Sequence, residues 1–219
     1  MIEQNVLRIL NRLFDLLYHG FAWTYDFIAA LVSLGLWKSW VFSTTEWVSR
    51  GPVLEIGFGP GHLQSKLAEM ALHPIGVDES PQMCRIAKKR LQRTFPATQN
   101  SLIRSVSQNL PFASEHFRII LSTFPSEYIF DPQTMTEAHR VLARGGVWVI
   151  LLSASLPDKT LFHRLLKRAL FLIGYDHPEN NSPFLERWSN QLHATGFQLK
   201  IERIVDNLGS RLVVEAQKK

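Results

Sequence analysis

The feature that most constrains this chain is a short apolar run that is followed by three glycines at alternate positions. Val53–Ile56 is predicted to form a buried strand, and Gly57, Gly59 and Gly61 separate it from a helical pattern. Because glycine has no Cβ, a turn of this composition lets a ligand approach bare backbone. The N-terminus of the following helix also offers unpaired N–H groups to that ligand. The turn therefore predicts a nucleotide-like ligand, although glycine-rich turns also occur as plain connectors.

The spacing of the glycines separates two classes of nucleotide-binding turn. The dinucleotide fingerprint is G-x-G-x-x-G, whereas here the third glycine comes one residue early and His62 stands where the fingerprint has glycine. Glu55 precedes the glycines and completes the pattern E-x-G-x-G-x-G. An NAD-dependent oxidoreductase is therefore the less favoured alternative.

A carboxylate at the end of the second predicted strand strengthens the prediction of a nucleotide-like ligand. Asp78 follows Gly57 by about 20 residues, the separation at which nucleotide-binding sheets place a carboxylate on the ribose hydroxyls. A carboxylate suits this role because it accepts hydrogen bonds from both hydroxyls. The alternative is a cap for the helix that begins near Pro81, and the two roles are compatible.

From residue 51 onward, the hydrophobic pattern alternates between strands and helices. Predicted strands lie near 53–56, 74–77, 101–105, 118–122, 147–152, 197–205 and 210–216, and predicted helices lie up to 70 and at 81–93, 132–143 and 183–195. Gly145-Gly146 is predicted to end the third of these helices. Such alternation predicts an α/β fold in which helices cover both faces of a parallel sheet.

The N-terminal region is predicted to be helical throughout. Residues 2–17 carry apolar side chains at helical spacing and polar side chains on the opposite side. Aromatic-rich helices are predicted near 21–33 and 37–48. Residues 1–50 are therefore predicted to form a helical cap, and residues 51–219 are predicted to form the main domain.

A second helical region, at 157–182, is predicted to be an insertion after the fifth strand. Its helix, at 158–173, carries apolar side chains on one half and basic side chains on the other; the basic ones are Lys159, His163, Arg164, Lys167 and Arg168. Such a helix can lie on an anionic membrane surface. It can equally pack on the domain as a lid with a solvated basic face, and the sequence leaves both interpretations open.

Composition and residue spacing exclude several classes of protein. The 219 residues are 46% hydrophobic with a net charge of +5, which suits one domain with a large core and does not require nucleic acid. Cys84 is the single cysteine, so no internal disulfide forms, as in cytosolic proteins. No metal-ligand spacing, P-loop lysine pattern or nucleic-acid module occurs. No signal peptide is predicted, because the N-terminus lacks a basic region before an apolar run. No transmembrane span is predicted, because Asp26, Gly35 and Lys38 interrupt the apolar stretch at 21–42.

Further segments match one enzyme family in the same order along the chain. Asp78–Met83 reads D-x-S-x-x-M, Leu110–Phe117 reads L-P-F-x-x-x-x-F, and Glu137–Gly146 reads E-x-x-R-V-L-x-R-G-G. With the glycine turn, these motifs resemble the class I S-adenosylmethionine (SAM) methyltransferases of the type 11 domain family. Phe21–Asp26 is similar to the F-A-x-x-Y-D region of the menaquinone and ubiquinone C-methyltransferases, and phospholipid N-methyltransferases share the same core.

The resemblance implies a seven-stranded, mostly parallel Rossmann-like sheet with an antiparallel last strand, and it implies SAM as the cofactor. Glu55 would orient the methionine amine, Asp78 would hold the ribose hydroxyls, Met83 would pack on adenine and Tyr25 would help to close the pocket. For Met83 and Tyr25, ordinary core packing is the alternative. The cofactor-binding residues implied in this way are Tyr25, Glu55, Gly57, Phe58, Gly59, Gly61, Asp78, Glu79, Met83 and Ser107.

The chain departs from the family pattern at several positions. Val106 and Ser107 stand where the family commonly has an acidic residue and a small one, so the backbone N–H of Ser107 replaces a carboxylate as the predicted adenine contact. Arg118 and Arg144 stand where the family has aspartate and proline. The departures predict a divergent branch with its own acceptor. They also leave open a degenerate domain that serves as a membrane or protein adaptor.

The sequence assigns no catalytic residue. The sulfonium of SAM makes its methyl group strongly electrophilic, so an amine or a stabilised carbanion needs no dedicated base. A phenol or hydroxyl acceptor would benefit from one, and the candidates are His19, His62, Tyr128 and His177. The loop Phe124–Glu127 follows the fourth strand, at the rim where the acceptor is expected to arrive.

The functional prediction is a SAM-dependent methyltransferase that acts on a small or lipid-like apolar acceptor. The amphipathic helices and the aromatic content, with 14 Phe and 6 Trp, favour such an acceptor. The predicted location is the cytoplasm, with peripheral contact at a membrane surface as an extension of the same reasoning. No metal and no nucleic-acid partner are predicted, and the oligomeric state is left open.

Overall fold

The computed structural model describes four stretches of the chain, which are residues 33–48, 51–95, 101–157 and 183–219. Several sequence predictions lie outside the described residues: the helices at 2–17, 21–33 and 158–173, and the residues His19, Tyr25 and His177. The motifs from the glycine turn to Gly146 all lie within the described part.

A seven-stranded sheet forms the centre of the described chain. Its strands are β1 (Val53–Ile56), β2 (Ile75–Asp78), β3 (Leu102–Arg104), β4 (Phe117–Thr123), β5 (Leu142–Ser155), β6 (Phe197–Asp206) and β7 (Gly209–Lys218). The order across the sheet is β3-β2-β1-β4-β5-β7-β6. Strands β1 to β5 pair in parallel, and β7 is antiparallel to both β5 and β6. The predicted α/β fold with a mostly parallel sheet and an antiparallel last strand is confirmed.

Five α-helices of the described chain surround this sheet. They are α1 (Trp37–Ser43), α2 (His62–Glu69), α3 (Pro81–Thr94), α4 (Pro132–Val141) and α5 (Pro183–Ala194), and short 3₁₀ helices lie at Thr44–Trp47 and Glu127–Phe130. The side chain of Ser80 accepts the N–H of Met83 at 3.3 Å and that of Asp131 accepts the N–H of Gln133 at 2.8 Å. Each cap precedes a proline in the first turn, so α3 and α4 begin where the sequence signals place them. None of the helices in the described ranges has the length and apolar character needed to cross a membrane.

The boundary between α4 and β5 differs from the sequence prediction. The sequence predicts a helix to residue 143 that is ended by Gly145-Gly146, whereas α4 ends at Val141 and β5 begins at Leu142. Both glycines lie inside β5, near the point where its register with β4 shifts. A Cβ on Gly146 would stand 2.9 Å from the carbonyl oxygen of Arg118. Gly146 therefore permits close approach of backbones at a strand irregularity, and the glycine pair does not terminate the helix.

Helices cover both faces of the sheet, as parallel strands require. Leu54 and Ile56 of β1 join a core with residues of α4 and α5, including the fully buried Trp188. Val53 packs on the opposite face with residues of α1 and α2. Since side chains alternate along a strand, Glu55 lies on the same face as Val53, next to α1 and α2. A carboxylate is thereby placed among apolar side chains.

The strand order also determines where a ligand can bind. The chain proceeds from β1 outward to β2 and β3 and then returns to β4 on the other side of β1. In open α/β sheets, ligands bind outside the carboxyl ends of the strands at such a switch in strand order. The turn after β1 and the loop after β4 both lie at this position, so the fold brings the two predicted site segments together.

Candidate functional site

The turn between β1 and α2 is built from three glycines in the left-handed region. The φ angles of Gly57, Gly59 and Gly61 are 77°, 52° and 79°. A Cβ on Gly61 would stand 2.7 Å from the Cβ of Ala87, so the contact of this turn with α3 requires glycine. A Cβ on Gly59 would meet no heavy atom of the described chain within 4 Å. Gly61 therefore serves packing, whereas Gly59 leaves the backbone open to approach from outside.

The backbone N–H groups of this turn bind the end of β2. The N–H of Gly57 donates to the carbonyl of Val77 at 2.8 Å, and the N–H of Gly59 donates to Oδ2 of Asp78 at 2.8 Å. The N–H of Gly61 donates to the carbonyl of Phe58 at 3.0 Å. These donors are used inside the protein, so the helix N–H groups that the sequence prediction assigned to a ligand can come only from the first turn of α2.

Asp78 is the buried residue that fixes the turn to β2. It is 5% exposed, its Oδ2 accepts the N–H of Gly59, and its Oδ1 accepts the N–H of Ser80 at 2.9 Å. Burial raises the pKa of the Asp78 carboxyl, and the N–H groups of Ser80 and Gly59 oppose that rise. A carboxylate has about four acceptor positions, so two remain for further donors. Asp78 thus combines a structural role at the start of α3 with the capacity to hold a diol.

Glu55 is a second buried carboxyl on the same side of the sheet. It is 1% exposed, and its Oε2 accepts Nε2 of Gln64 at 2.8 Å. Desolvation by burial raises the pKa of Glu55 to about 8, while the hydrogen bond from Gln64 lowers it and the charge of Asp78 raises it further. The glycine at position 76 of β2 leaves room for this arrangement, because a Cβ there would stand 3.0 Å from Nε2 of Gln64.

A cavity of about 60 Å³ lies between α1, the glycine turn and the loop after β4. Among the residues predicted to bind cofactor, those that line it are Glu55, Gly57, Phe58, Gly59 and Met83. The remaining lining residues are Trp37, Val41, Pro60, His62, Leu63, Thr123, Phe124 and Ser126. The cavity therefore joins the polar end of β1 to an aromatic wall that α1 and the β4 loop supply.

The aromatic wall is made by Trp37 of α1 and Phe124 of the loop after β4. Their rings stack with centroids 6.5 Å apart, and the ring of His62 meets Trp37 edge-on at 5.3 Å. The indole N–H of Trp40 donates to the carbonyl of Leu208, which holds α1 against the hairpin of β6 and β7. Phe124 has a φ of 47°, which is uncommon for a residue with a side chain and is frequent at ligand sites.

Of the other residues predicted to bind cofactor, those that the structure describes do not line the cavity. Asp78 holds the glycine turn through the N–H of Gly59, and Gly61 packs against Ala87 of α3. Ser107 is 7% exposed and its hydroxyl lies 2.8 Å from that of Thr134 on α4. Glu79 is exposed, and its carbonyl accepts Nε of Arg104 at 3.1 Å. Tyr25 lies outside the described residues.

The candidate bases are placed differently from one another. His62 lines the cavity, where its ring meets that of Trp37 edge-on. Tyr128 lies under the turn, where its hydroxyl donates to the carbonyl of Ile56 at 2.9 Å. His19 and His177 lie outside the described ranges. Within those ranges, no group of three His, Cys, Asp or Glu is placed to hold a metal ion.

Comparisons with known proteins bear on the same segment. Residues 53–146 match the model of a family described as a methyltransferase domain. The ubiquinone/menaquinone biosynthesis C-methyltransferase UbiE of Geotalea uraniireducens (strain Rf4) is 28% identical over 148 residues, which are 64% of this chain and 63% of that protein. The chain carries a class I SAM-dependent methyltransferase domain.

Solved structures show the fold of the methyltransferase domain at lower identity. A protein of Methanococcus maripaludis, provisionally described as a SAM-dependent methyltransferase, aligns with a TM-score of 0.65 and 18% identity over 90% of this chain and 92% of its own. The geranyl diphosphate C-methyltransferase of Streptomyces coelicolor A3(2), solved with S-adenosyl-L-homocysteine, aligns with a TM-score of 0.57 and 10% identity, over 83% and 78% of the two chains. The cofactor of this class is SAM, so the comparisons do not support the NAD-dependent alternative.

Several residues of the candidate site were not predicted from the sequence. Trp37 belonged to a predicted aromatic helix without an assigned role, and Gln64 and Thr123 carried no motif signal. Each reaches the site through tertiary packing: Trp37 through α1, Gln64 through α2 and Thr123 at the end of β4. Phe124 and Ser126 of the predicted acceptor loop do line the cavity.

Proposed function

We propose that this chain binds SAM at the glycine turn and transfers the methyl group to a small or lipid-like apolar acceptor. The observation that carries the proposal is the open face of Gly59, joined through its N–H to the buried carboxylate of Asp78 and adjacent to an aromatic cavity. The chain spans less than two thirds of the UbiE protein it matches, so the activity of that protein is a guide and not an assignment.

The residues present fit SAM in three respects. Gly59 leaves space where a ribose or methionine part can pass over the backbone. Asp78 retains acceptor positions for two hydroxyls. The cavity is too small for a whole nucleoside cofactor, so it corresponds to one end of the ligand, and Glu55 lines that end with a carboxyl suited to an ammonium group.

In the proposed reaction, SAM supplies an electrophilic methyl group on a sulfonium. The protein has to hold the acceptor in line with that methyl group and exclude water. Trp37 and Phe124 would do this by covering the cavity with apolar surface. His62, on the same wall, would accept a proton from a hydroxyl acceptor, whereas a carbanion or amine acceptor would not require this step.

The class of acceptor is proposed from the wall of the cavity and from the relatives. The wall carries stacked aromatic rings and no lysine or arginine among its described lining residues. The names of two compared proteins refer to ubiquinone or menaquinone biosynthesis and to geranyl diphosphate, and both acceptor types contain apolar prenyl chains. We therefore place quinone-like and prenylated compounds first among the candidates.

The domain boundaries and the location are also part of the proposal. Residues 51–219 would form the methyltransferase domain, residues 1–50 its helical cap and residues 157–182 a helical insertion after the fifth strand. The basic amphipathic pattern of the insertion supports peripheral contact with an anionic membrane, where an apolar acceptor would be dissolved. The proposed location of the protein is the cytoplasmic face of a membrane.

The acceptor proposal is tested with purified protein and methyl-labelled SAM. Quinone, phospholipid, prenyl, small-amine and protein fractions are incubated separately, and the label in each is counted after extraction. We expect label in an apolar fraction, and reactions without protein supply the background. Label confined to the protein fraction would contradict the acceptor class, and absence of both transfer and SAM binding would contradict the proposed activity.

A substitution at Gly59 tests whether the turn meets the cofactor. We expect Gly59→Ala to lower the affinity for S-adenosylhomocysteine at least tenfold, because its Cβ would occupy the open approach to the turn. The left-handed φ should reduce the free energy of unfolding by about 1 kcal/mol. Affinity is measured by calorimetry and stability by denaturant unfolding.

Gly145→Ala is the matched control for this substitution. Gly145 also has a left-handed φ, of 73°, and a Cβ there would likewise meet no described heavy atom within 4 Å. It lies in β5, away from the turn. The control should show the same loss of stability with unchanged affinity, and equal affinities in both variants would mean that the cofactor does not pass over Gly59.

A further inference from the structure

The pair formed by Glu55 and Gln64 has an acceptor that the structure does not satisfy. Both side chains are buried, with 1% and 0% of their surface exposed, and Nε2 of Gln64 donates to Oε2 of Glu55 at 2.8 Å. Oε1 of the same Gln64 amide is buried and has no hydrogen-bond partner among the described residues. Glu55 lines the cavity, and Gln64 contacts the cavity through this carboxyl.

The amide of Gln64 is held in this position by its packing. It sits over Gly76 of β2, where a Cβ would stand 3.0 Å from both Cδ and Nε2 of Gln64. The carboxamide therefore has little freedom to leave Glu55. A buried carboxylate with one neutral donor is poorly stabilised, and an amide oxygen without a donor adds a further penalty. A proton on Glu55 removes the buried negative charge. It also provides a donor next to the amide oxygen of Gln64.

The groups around Glu55 also favour its protonated form. Asp78, from β2, adds negative charge, and burial with this charge raises the pKa of Glu55 to about 8. His62, the first residue of α2, is the titratable group on the cavity wall, while α1 and β4 contribute the uncharged Trp37 and Thr123. Burial, the charge of Asp78 and the single neutral donor therefore all favour the protonated form of Glu55 when no ligand is bound.

We propose that Glu55 carries a proton in the free protein and releases it to solvent when the methionine ammonium of the cofactor binds, with Gln64 as the positioning residue that keeps the carboxyl directed at the cavity. This inference rests on the proposed function, because it requires SAM or S-adenosylhomocysteine at the glycine turn. The released proton leaves a carboxylate, which forms an ion pair with the ammonium, and no other bond is made or broken.

The test is calorimetry of S-adenosylhomocysteine binding to the full chain in buffers of different ionisation enthalpy. At pH 6.5 the dependence on buffer should report close to one proton released per ligand bound. Between pH 5.5 and 7.5 the affinity should rise by about tenfold per pH unit, because the ionised form of Glu55 becomes more available. The wild-type measurement needs no variant and is therefore independent of any folding defect.

Three variants assign the effect to the two residues. Glu55→Gln should abolish the proton release and flatten the pH profile, whereas a titration of His62 would persist in this variant. Gln64→Met removes the donor with little change in side-chain shape. Because the hydrogen bond from Gln64 lowers the pKa of Glu55, the affinity of this variant for S-adenosylhomocysteine should continue to rise to a higher pH than that of the wild type. Gln133→Met makes the same change on the exposed side of α4 and should leave the profile unchanged. Circular dichroism confirms that each variant is folded.

The possible failures are distinguishable. Tight binding without proton release and with a flat profile would overturn the inference and leave the proposed function intact. A profile of Gln64→Met equal to that of the wild type would overturn the role of Gln64. Absence of S-adenosylhomocysteine binding to the folded wild type at every pH would overturn the proposed function and the inference together.

Discussion

Asp78→Ala is expected to abolish detectable SAM binding and to lower the free energy of unfolding. The substitution leaves the N–H groups of Gly59 and Ser80 without their acceptor, at a cost of about 1 to 3 kcal/mol for each buried group. It also removes the proposed acceptor of two ribose hydroxyls, each worth about 1.5 to 3 kcal/mol when the partner is charged. We therefore expect the affinity for S-adenosylhomocysteine to fall more than a hundredfold, as measured by calorimetry.

Glu137→Ala provides the control for this prediction. Glu137 also accepts a backbone N–H, from Leu110 at 2.8 Å, and it binds Arg140, but it lies on α4 away from the glycine turn. This variant should lose stability and keep its affinity for S-adenosylhomocysteine. If Asp78→Ala folds and binds with wild-type affinity, Asp78 is a structural cap and does not hold the ribose.

The parts of the fold that the sequence predicted well are those with a local signal. Pro81 and Pro132 follow capping side chains, and both helices begin there because a proline in the first turn needs no N–H partner. The Gly145-Gly146 signal was misleading, because glycine is favoured both after a helix and at an irregular strand. Only the pairing of β5 with β4 and β7 distinguishes these two roles, and that pairing is not local.

The candidate site also contains residues with a local sequence signal and residues that only tertiary packing brings together. Gly59 and Asp78 could be singled out because a turn and a strand end impose residue types at fixed positions. Trp37 reaches the cavity because α1 is packed on the face of β1 that carries Glu55. Gln64 reaches Glu55 from the following helix, over a glycine of a different strand. No periodicity or spacing in the sequence records these contacts, so they could only be found in the folded chain.

The stability of the ligand-free protein should depend on pH through Glu55. Burial raises the pKa of this carboxyl from 4.5 to about 8. A group whose pKa is raised on folding contributes stability that is complete below its unfolded pKa and is lost as pH rises through the folded value. The loss therefore falls between about pH 4.5 and pH 8, at about 1.4 kcal/mol per unit, or about 5 kcal/mol at most.

Glu55→Gln isolates this contribution, because an amide stays neutral over the same range. The free energies of unfolding are measured in denaturant without ligand. The difference between the variant and the wild type should shift in favour of the variant at each step from pH 5 to pH 8. Glu137→Gln is the opposite control: its partner Arg140 lowers the pKa of Glu137, so the difference from the wild type should be constant above pH 5. A constant difference for Glu55→Gln as well would mean that Glu55 is ionised in the folded protein, since only an ionised carboxyl binds no proton across that range.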